Sequence, residues 1–212
     1  MSENYKAEGR VAVGLSYPVV ATYNPPGGLN SYKDGRIFAR LDSYNVNIYT
    51  AGDENVLHLN NAVAENAGTV FSSGTLTLVT DHPLPDVEDF VYGNPEPETI
   101  EIGGEQIPYS GMSTENVSPN LGLGMIVKFI SGGEYSFAPI IFPKVTFRQG
   151  GDEGKTQGKS IEFQLRTFTV DLARDDAPKP MWKYNIRKYF SSEADARALL
   201  NKIMGVAEAA NG

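Results

Sequence analysis

The sequence predicts a mainly β protein with minor α content: a β-sandwich or barrel flanked by a short helix, with a second helix near the C-terminal end. Three observations carry that expectation. Short apolar runs recur along the 212 residues, punctuated by 22 glycines and 13 prolines. Helical start and stop signals occur at two places, residues 85–93 and 192–205. Residues 160–172, SIEFQLRTFTVDL, read as one long strand whose apolar side changes halfway. Ile161, Phe163 and Leu165 share one face, whereas Phe168, Val170 and Leu172 lie on the other. Side chains alternate strictly along a strand, so covering both sets needs a bulge, a crossing between sheets, or burial against other copies. That points toward assembly and away from catalysis.

The elements follow in order. Residues 10–23 form a first strand, closed by the turn Asn24-Pro25-Pro26-Gly27-Gly28. A second strand runs from Arg36 to about Asn47, with Ile37, Ala39 and Leu41 alternating against Phe38 and Arg40. Residues 50–66 are polar and weakly patterned, and a loop of that length in a compact domain is usually either functional or disordered. Residues 69–80 return to strand, with Leu76 and Leu78 set between threonines. A short helix follows, with Asp86 as N-cap, acids in its first turn, Gly93 as its stop, and Val87, Phe90 and Val91 as its apolar stripe. Residues 94–105 are acidic and Pro-rich. Strands at 121–130 and 135–147 are joined by Gly132-Gly133, a hairpin signal. A last strand alternates Trp182, Tyr184 and Ile186 with Lys183, Asn185 and Arg187. Ser192 then caps a helix over 193–204, Asp195 adds a weak capping box, and Gly205 ends it. There is no internal repeat and no linker, so residues 1–212 are expected to be a single domain.

Composition narrows the function. With 41% hydrophobic and 21% charged residues the chain is ordinary globular material. No apolar run approaches the roughly 20 residues of a bilayer helix. The opening MSENYKAEGR lacks an apolar core, so no secretory signal is expected. The absence of cysteine excludes disulfides, thiol catalysis and thiolate metal sites, and fits a reducing cytoplasm. A net charge of −8 gives a field that repels polyanions, unlike that of a protein that grips nucleic acid.

Catalytic chemistry is not legible. Gly150-Gly151-Asp152-Glu153-Gly154-Lys155-Thr156 imitates a phosphate loop, but the required first glycine is Gln149. Its acids would repel phosphate, and a strand rather than a helix is expected after it. His58 and His82 lack metal-ligand spacing. No catalytic, metal or cofactor residue is assigned, and no enzymatic activity is expected. The basic set Lys179, Lys183, Arg187 and Lys188 reads as a solvated strand face, or as a surface pairing with the acidic 86–105 region of a neighbouring copy.

The ordered set of elements resembles the major tail protein (tail tube protein) of long, flexible-tailed phages. The residues that carry it are Thr69-Val70-Phe71 through Leu78, the helix ending Val91-Tyr92-Gly93, and Asn120-Leu121-Gly122-Leu123-Gly124-Met125-Ile126. Gly133-Glu134-Tyr135-Ser136, the run Phe142-Pro143-Lys144-Val145-Thr146-Phe147, Ile161-Glu162-Phe163-Gln164, and Trp182 before an Ala-rich helix complete the order. The resemblance spans about residues 10–205, apart from the acidic stretch 96–105 and the Pro25-Pro26-Gly27-Gly28 turn.

The resemblance implies a structural virion protein, made in the bacterial cytoplasm, that forms hexameric rings stacking into a hollow tube for genome ejection. Its partners would be its own copies, with tape-measure and terminator proteins. DNA would pass without specific binding, and neither cofactor nor membrane is implied. A long loop reaching the adjacent ring maps onto residues 42–61, including Asp42, Tyr44, Tyr49, Asp53, Glu54 and His58. Glu162 and Asp171 are the candidate lumen acids. Two other readings stand beside it: another tail component such as a terminator, and a cell-surface or carbohydrate-binding β-sandwich. The latter would use an aromatic platform drawn from Tyr17, Tyr23, Tyr32, Tyr44 and Tyr49.

Overall fold

The computed structural model describes residues 9–51, 70–151, 154, 156 and 163–207, and the backbone alone of 56–59 and 62–66. Strands β1 (Val11–Tyr23), β2 (Tyr32–Ile37) and β3 (Leu41–Ala51) lead to a small hairpin, β4 (Val56–Leu59) and β5 (Ala62–Asn66). Then come β6 (Val70–Thr80), helix α1 (Pro85–Tyr92), and a second hairpin, β7 (Glu98–Ile102) and β8 (Glu105–Tyr109). The chain continues through β9 (Leu121–Ser131), β10 (Glu134–Phe147), β11 (Arg166–Ala173), β12 (Tyr184–Asn185) and α2 (Glu193–Met204). The protein is mainly β with two helices, the fold class the sequence predicts.

One antiparallel sheet dominates, in the order β2-β1-β9-β10-β11-β6-β3, with β12 beside β10. Its two end strands, β2 and β3, are consecutive in the chain and separated by Phe38, Ala39 and Arg40 alone. Three extended residues span about 10 Å, so the sheet must curl until its ends meet. Phe38 sits at this seam. Its amide donates to the Pro18 carbonyl at 2.8 Å, and its ring packs against Phe147 and Phe168 at 5.2 and 5.0 Å. The enclosed core holds Leu76, Leu78, Phe142, Phe147 and Phe168, and α1 closes it with Val87, Val91 and Tyr92.

A second core lies on the outer face, where Ala196, Leu200 and Met204 of α2 cover Val19, Ile126 and Ile141. Strand β9 is therefore buried on both faces, which explains its composition. Leu121, Leu123, Met125 and Val127 point into the barrel. The alternating Gly122 and Gly124 lie on the α2 side, where a Cβ would stand 2.3 Å from the Tyr32 ring and 2.6 Å from Leu200 Cδ1, respectively. Glycine here makes room for close packing.

The caps follow the sequence closely. Ser192 Oγ accepts from the Ala194 amide at 3.1 Å, and Gly93 and Gly205 end their helices in the left-handed region, with φ of 67° and 65°. Gly132 and Gly133 turn β9 into β10. At α1 the start differs: Pro85 occupies the first turn and Leu84 is the N-cap, so Asp86 lies inside the helix.

Four sequence expectations are corrected. The strand predicted from Arg36 to Asn47 breaks at Phe38–Arg40 to cross the seam. Residues 42–51 of the expected loop belong to β3, which pairs with β6 from Leu41↔Thr80 to Ala51↔Val70, so Asp42, Tyr44 and Tyr49 are strand residues. Of the strand expected over 160–172, residues 160–162 lie outside the described residues, 163–165 are irregular, and β11 begins at Arg166, opposite Thr80, where β6 ends. Its inward residues Phe168, Val170 and Leu172 are buried, whereas Phe163 and Leu165 lie in irregular chain with no partner strand among the described residues and are 93% and 52% exposed. The strand expected around Trp182 is reduced to Tyr184–Asn185, which pairs with Ile141 and Ile140.

Candidate assembly surfaces

Two ribbons leave the barrel. The first is the far end of β3 and β6. β6 pairs with β11 only as far as Gly74, so, among the described residues, 49–51 and 70–73 pair with each other alone. Ile48, Tyr49 and Val70 are 42%, 55% and 69% exposed there. Phe71 anchors the base by stacking on Trp182 at 5.4 Å and 10°. Of the other residues expected in this region, Asp53 and Glu54 lie outside the described residues, and His58 is described only as backbone paired with Val63.

The second ribbon is the β7–β8 hairpin, which the sequence reading treated as an acidic passage. Gly103 and Gly104, with φ of 64° and 88°, form its turn, and the register pairs Ile100 with Ile107 and Glu98 with Tyr109. Cross-strand partners share a face, so Ile100, Ile102, Ile107 and Tyr109 lie together, all exposed. The signal was present in the sequence: Ile100 and Ile102 before a Gly-Gly pair, and Ile107 and Tyr109 after it, alternate with other residues. The hairpin is fixed at its base, where Asp89 of α1 accepts from Ser110 Oγ at 2.5 Å and Asn94 Nδ2 at 2.8 Å.

The basic set is not a strand face. Lys179 lies in a bend, and Lys179, Arg187 and Lys188 are exposed. Lys183 is half-buried with its ammonium 5.6 Å from the Phe142 ring centre, and burial lowers its pKa. The segment that carries them is held by a buried carboxylate. Asp175, 2% exposed, accepts from Tyr184 Oη at 2.6 Å, the Met181 amide at 2.8 Å and the Gly28 amide at 3.2 Å. This ties the segment to the Asn24–Gly28 turn. Burial, aided by Asp175, raises the Tyr184 pKa, and burial raises that of Tyr32.

Asp171 is no free acid: Arg148 donates to both its oxygens, at 2.6 and 2.9 Å. Glu162 lies outside the described residues. Asp171 belongs to the face of the sheet turned away from the core, where Asn45, Thr77 and Thr169 line up across β3, β6 and β11. Asn47, Thr75 and Asp171 form the next row.

The remaining candidates separate. Tyr23 and Tyr32 are buried and Tyr17 and Tyr44 are partly buried, leaving Tyr49 exposed, so the five tyrosines make no open platform. The imitation phosphate loop is followed, within the described residues, by irregular chain at 163–165 and then strand β11. Among the described residues no cluster of His, Asp or Glu is arranged to hold a metal, and no helix is long and apolar enough to cross a membrane. No protein-family model matches the chain, and no curated protein matches it significantly.

Surface ion pairs make the fold acid-sensitive. Lys144 and Tyr23 donate to Asp176, each at 2.9 Å, and hold its carboxyl below the ordinary range. Burial opposes ionisation of Asp81, but the Arg40 guanidinium and amide outweigh it and also leave that pKa lowered. A carboxylate with a depressed folded pKa stabilises above its unfolded value, about 4, and that contribution is lost as pH falls through the folded value. The urea midpoint is therefore expected to drop between pH 5 and 2.5. Asp176→Asn should show a shallower drop over the same interval, and equal slopes would contradict this origin.

Proposed function

We propose that this chain is a structural subunit that joins its own copies into rings, and that the rings stack into the tail tube of a long, flexible-tailed phage. The carrying observation is the pair of two-stranded ribbons that extend exposed Ile, Tyr and Val side chains beyond the barrel. A two-stranded ribbon is marginal in water by itself and gains from a covering partner. Free strand edges are equally open to pairing with another chain. Contacts that join one copy head to tail do not close between rings, so they propagate into a filament. Six subunits per ring, tape-measure and terminator partners, and a place in the virion follow from the resemblance of the elements.

The outward Asn and Thr rows suit a conduit wall. Hydroxyls and amides hydrate well and offer DNA phosphates no fixed cation, and the net charge of −8 discourages adhesion. Of the cations on that face, Arg148 is paired with Asp171 and Lys144 with Asp176. The test is electron microscopy of concentrated purified protein, with sedimentation over a range of concentrations. Rings and tubes are expected. Rings that never lengthen would indicate a terminator instead, and single molecules at millimolar concentration would refute assembly altogether.

A further inference from the structure

We propose that the β7–β8 hairpin is an arm that docks on a second copy of this chain, along the exposed basic segment 179–189. The proposal rests on the self-assembly reading and names the surfaces that meet. The arm exposes Ile100, Ile102, Ile107 and Tyr109 by 38–58% on one face, and the register sets Glu98 and Glu105 on that same face as the cross-strand partners of Tyr109 and Ile102. It is also wholly acidic. Residues 94–127 contain Glu96, Glu98, Glu101, Glu105 and Glu115 and no Lys, Arg or His. Among the described residues none of these glutamates pairs with a cation.

The receiving segment is the complement in both respects. Residues 177–190 contain Lys179, Lys183, Arg187 and Lys188 and no acid, and Met181 and Tyr189 are 41% and 44% exposed between them. Its backbone bonds to β10 on one side, through Tyr184↔Ile141, Asn185↔Ile140 and the Phe190–Phe137 bridge. Among the described residues its other side pairs with no strand, so it presents a sheet edge. Asp175 and the Phe71–Trp182 stack fix that edge before any partner arrives, which limits the ordering it must undergo on docking. Within one copy no hydrogen bond or ion pair among the described residues links arm and edge. Opposite charge, exposed apolar side chains on both surfaces and a free edge therefore favour a copy of the same chain as the occupant.

A charge exchange tests this at low ionic strength. One variant carries Glu98→Lys, Glu101→Lys and Glu105→Lys; the other carries Arg187→Glu and Lys188→Glu. Each alone is expected to weaken self-association by about tenfold or more, and a mixture of the two should recover heterologous association. Circular dichroism of each verifies the fold. In a second measurement Ile102→Cys, the only thiol in a cysteine-free chain, should lose maleimide reactivity in assemblies and keep it in monomers. Wild-type-like assembly by the arm variant, or a thiol at 102 equally reactive in tubes, would overturn the docking while leaving the tube reading intact. Failure of the wild-type protein to associate would overturn both.

Discussion

Phe38→Ala is expected to destabilise the protein by about 3–5 kcal/mol, the range for truncating a buried aromatic ring. For a chain of this size that lowers Tm by on the order of 10 °C. The residue is 1% exposed and touches Phe147 and Phe168 across the core, so its removal leaves a cavity where the sheet's two ends meet. Phe38→Leu retains most of the volume and should lose roughly 1 kcal/mol. Thermal melts of the two variants separate cavity formation from mere change of side chain. An alanine variant melting within a degree of wild type would mean that the seam bears little of the fold's stability.

Gly122→Ala is expected to destabilise by about 1–3 kcal/mol, although alanine in an extended site with room would be neutral or favourable. The added methyl would stand 2.3 Å from Tyr32 Cε1. That ring has little freedom to retreat, because it is buried and its hydroxyl donates to the Pro143 carbonyl at 3.2 Å. The sign should depend on the ring. In a Tyr32→Ala background the same Gly122→Ala change should become neutral or stabilising, a non-additivity that a double-mutant cycle reads directly. Equal effects in both backgrounds would rule out the clash as the cause.

These two residues illustrate what the sequence made legible. Strand β9 was readable because Leu, Gly, Met and Ile form a continuous apolar and small run bounded by turns, as a strand covered on both faces requires. The reason for its glycines was not readable, since it lies in Tyr32 and Leu200, distant in the chain. Ser192, Gly93, Gly205 and the Gly132-Gly133 turn were legible because caps and turns are local chemistry. β3 was partly misread as loop. Its Asn, Asp and Ser have weak strand preference, and the ladder with β6 overrides it through pairing that a single segment does not reveal. The opposite error occurred at 163–165, where a strand-like alternation forms no strand among the described residues.

The candidate surfaces divide in the same way. The opposition of basic and acidic segments was visible in composition. That the acidic one is a two-stranded projection with its isoleucines on one face emerges only from register. Asp171 was marked as a candidate lumen acid, and its partner Arg148 lies 23 positions earlier. No local pattern announces such a pairing.

Among the described residues, neither ribbon contributes a side chain to the barrel core beyond its base. Their lengths and sequences are thus free to drift while the folding unit stays intact, much as a connector can be recut without altering the pipe behind it. On the assembly proposed above, a scaffold divided in this way would let lineages change which neighbours they accept with little penalty to the foldedness of each subunit. Transplanting residues 98–109 into a related barrel should therefore transfer docking preference without transferring thermostability.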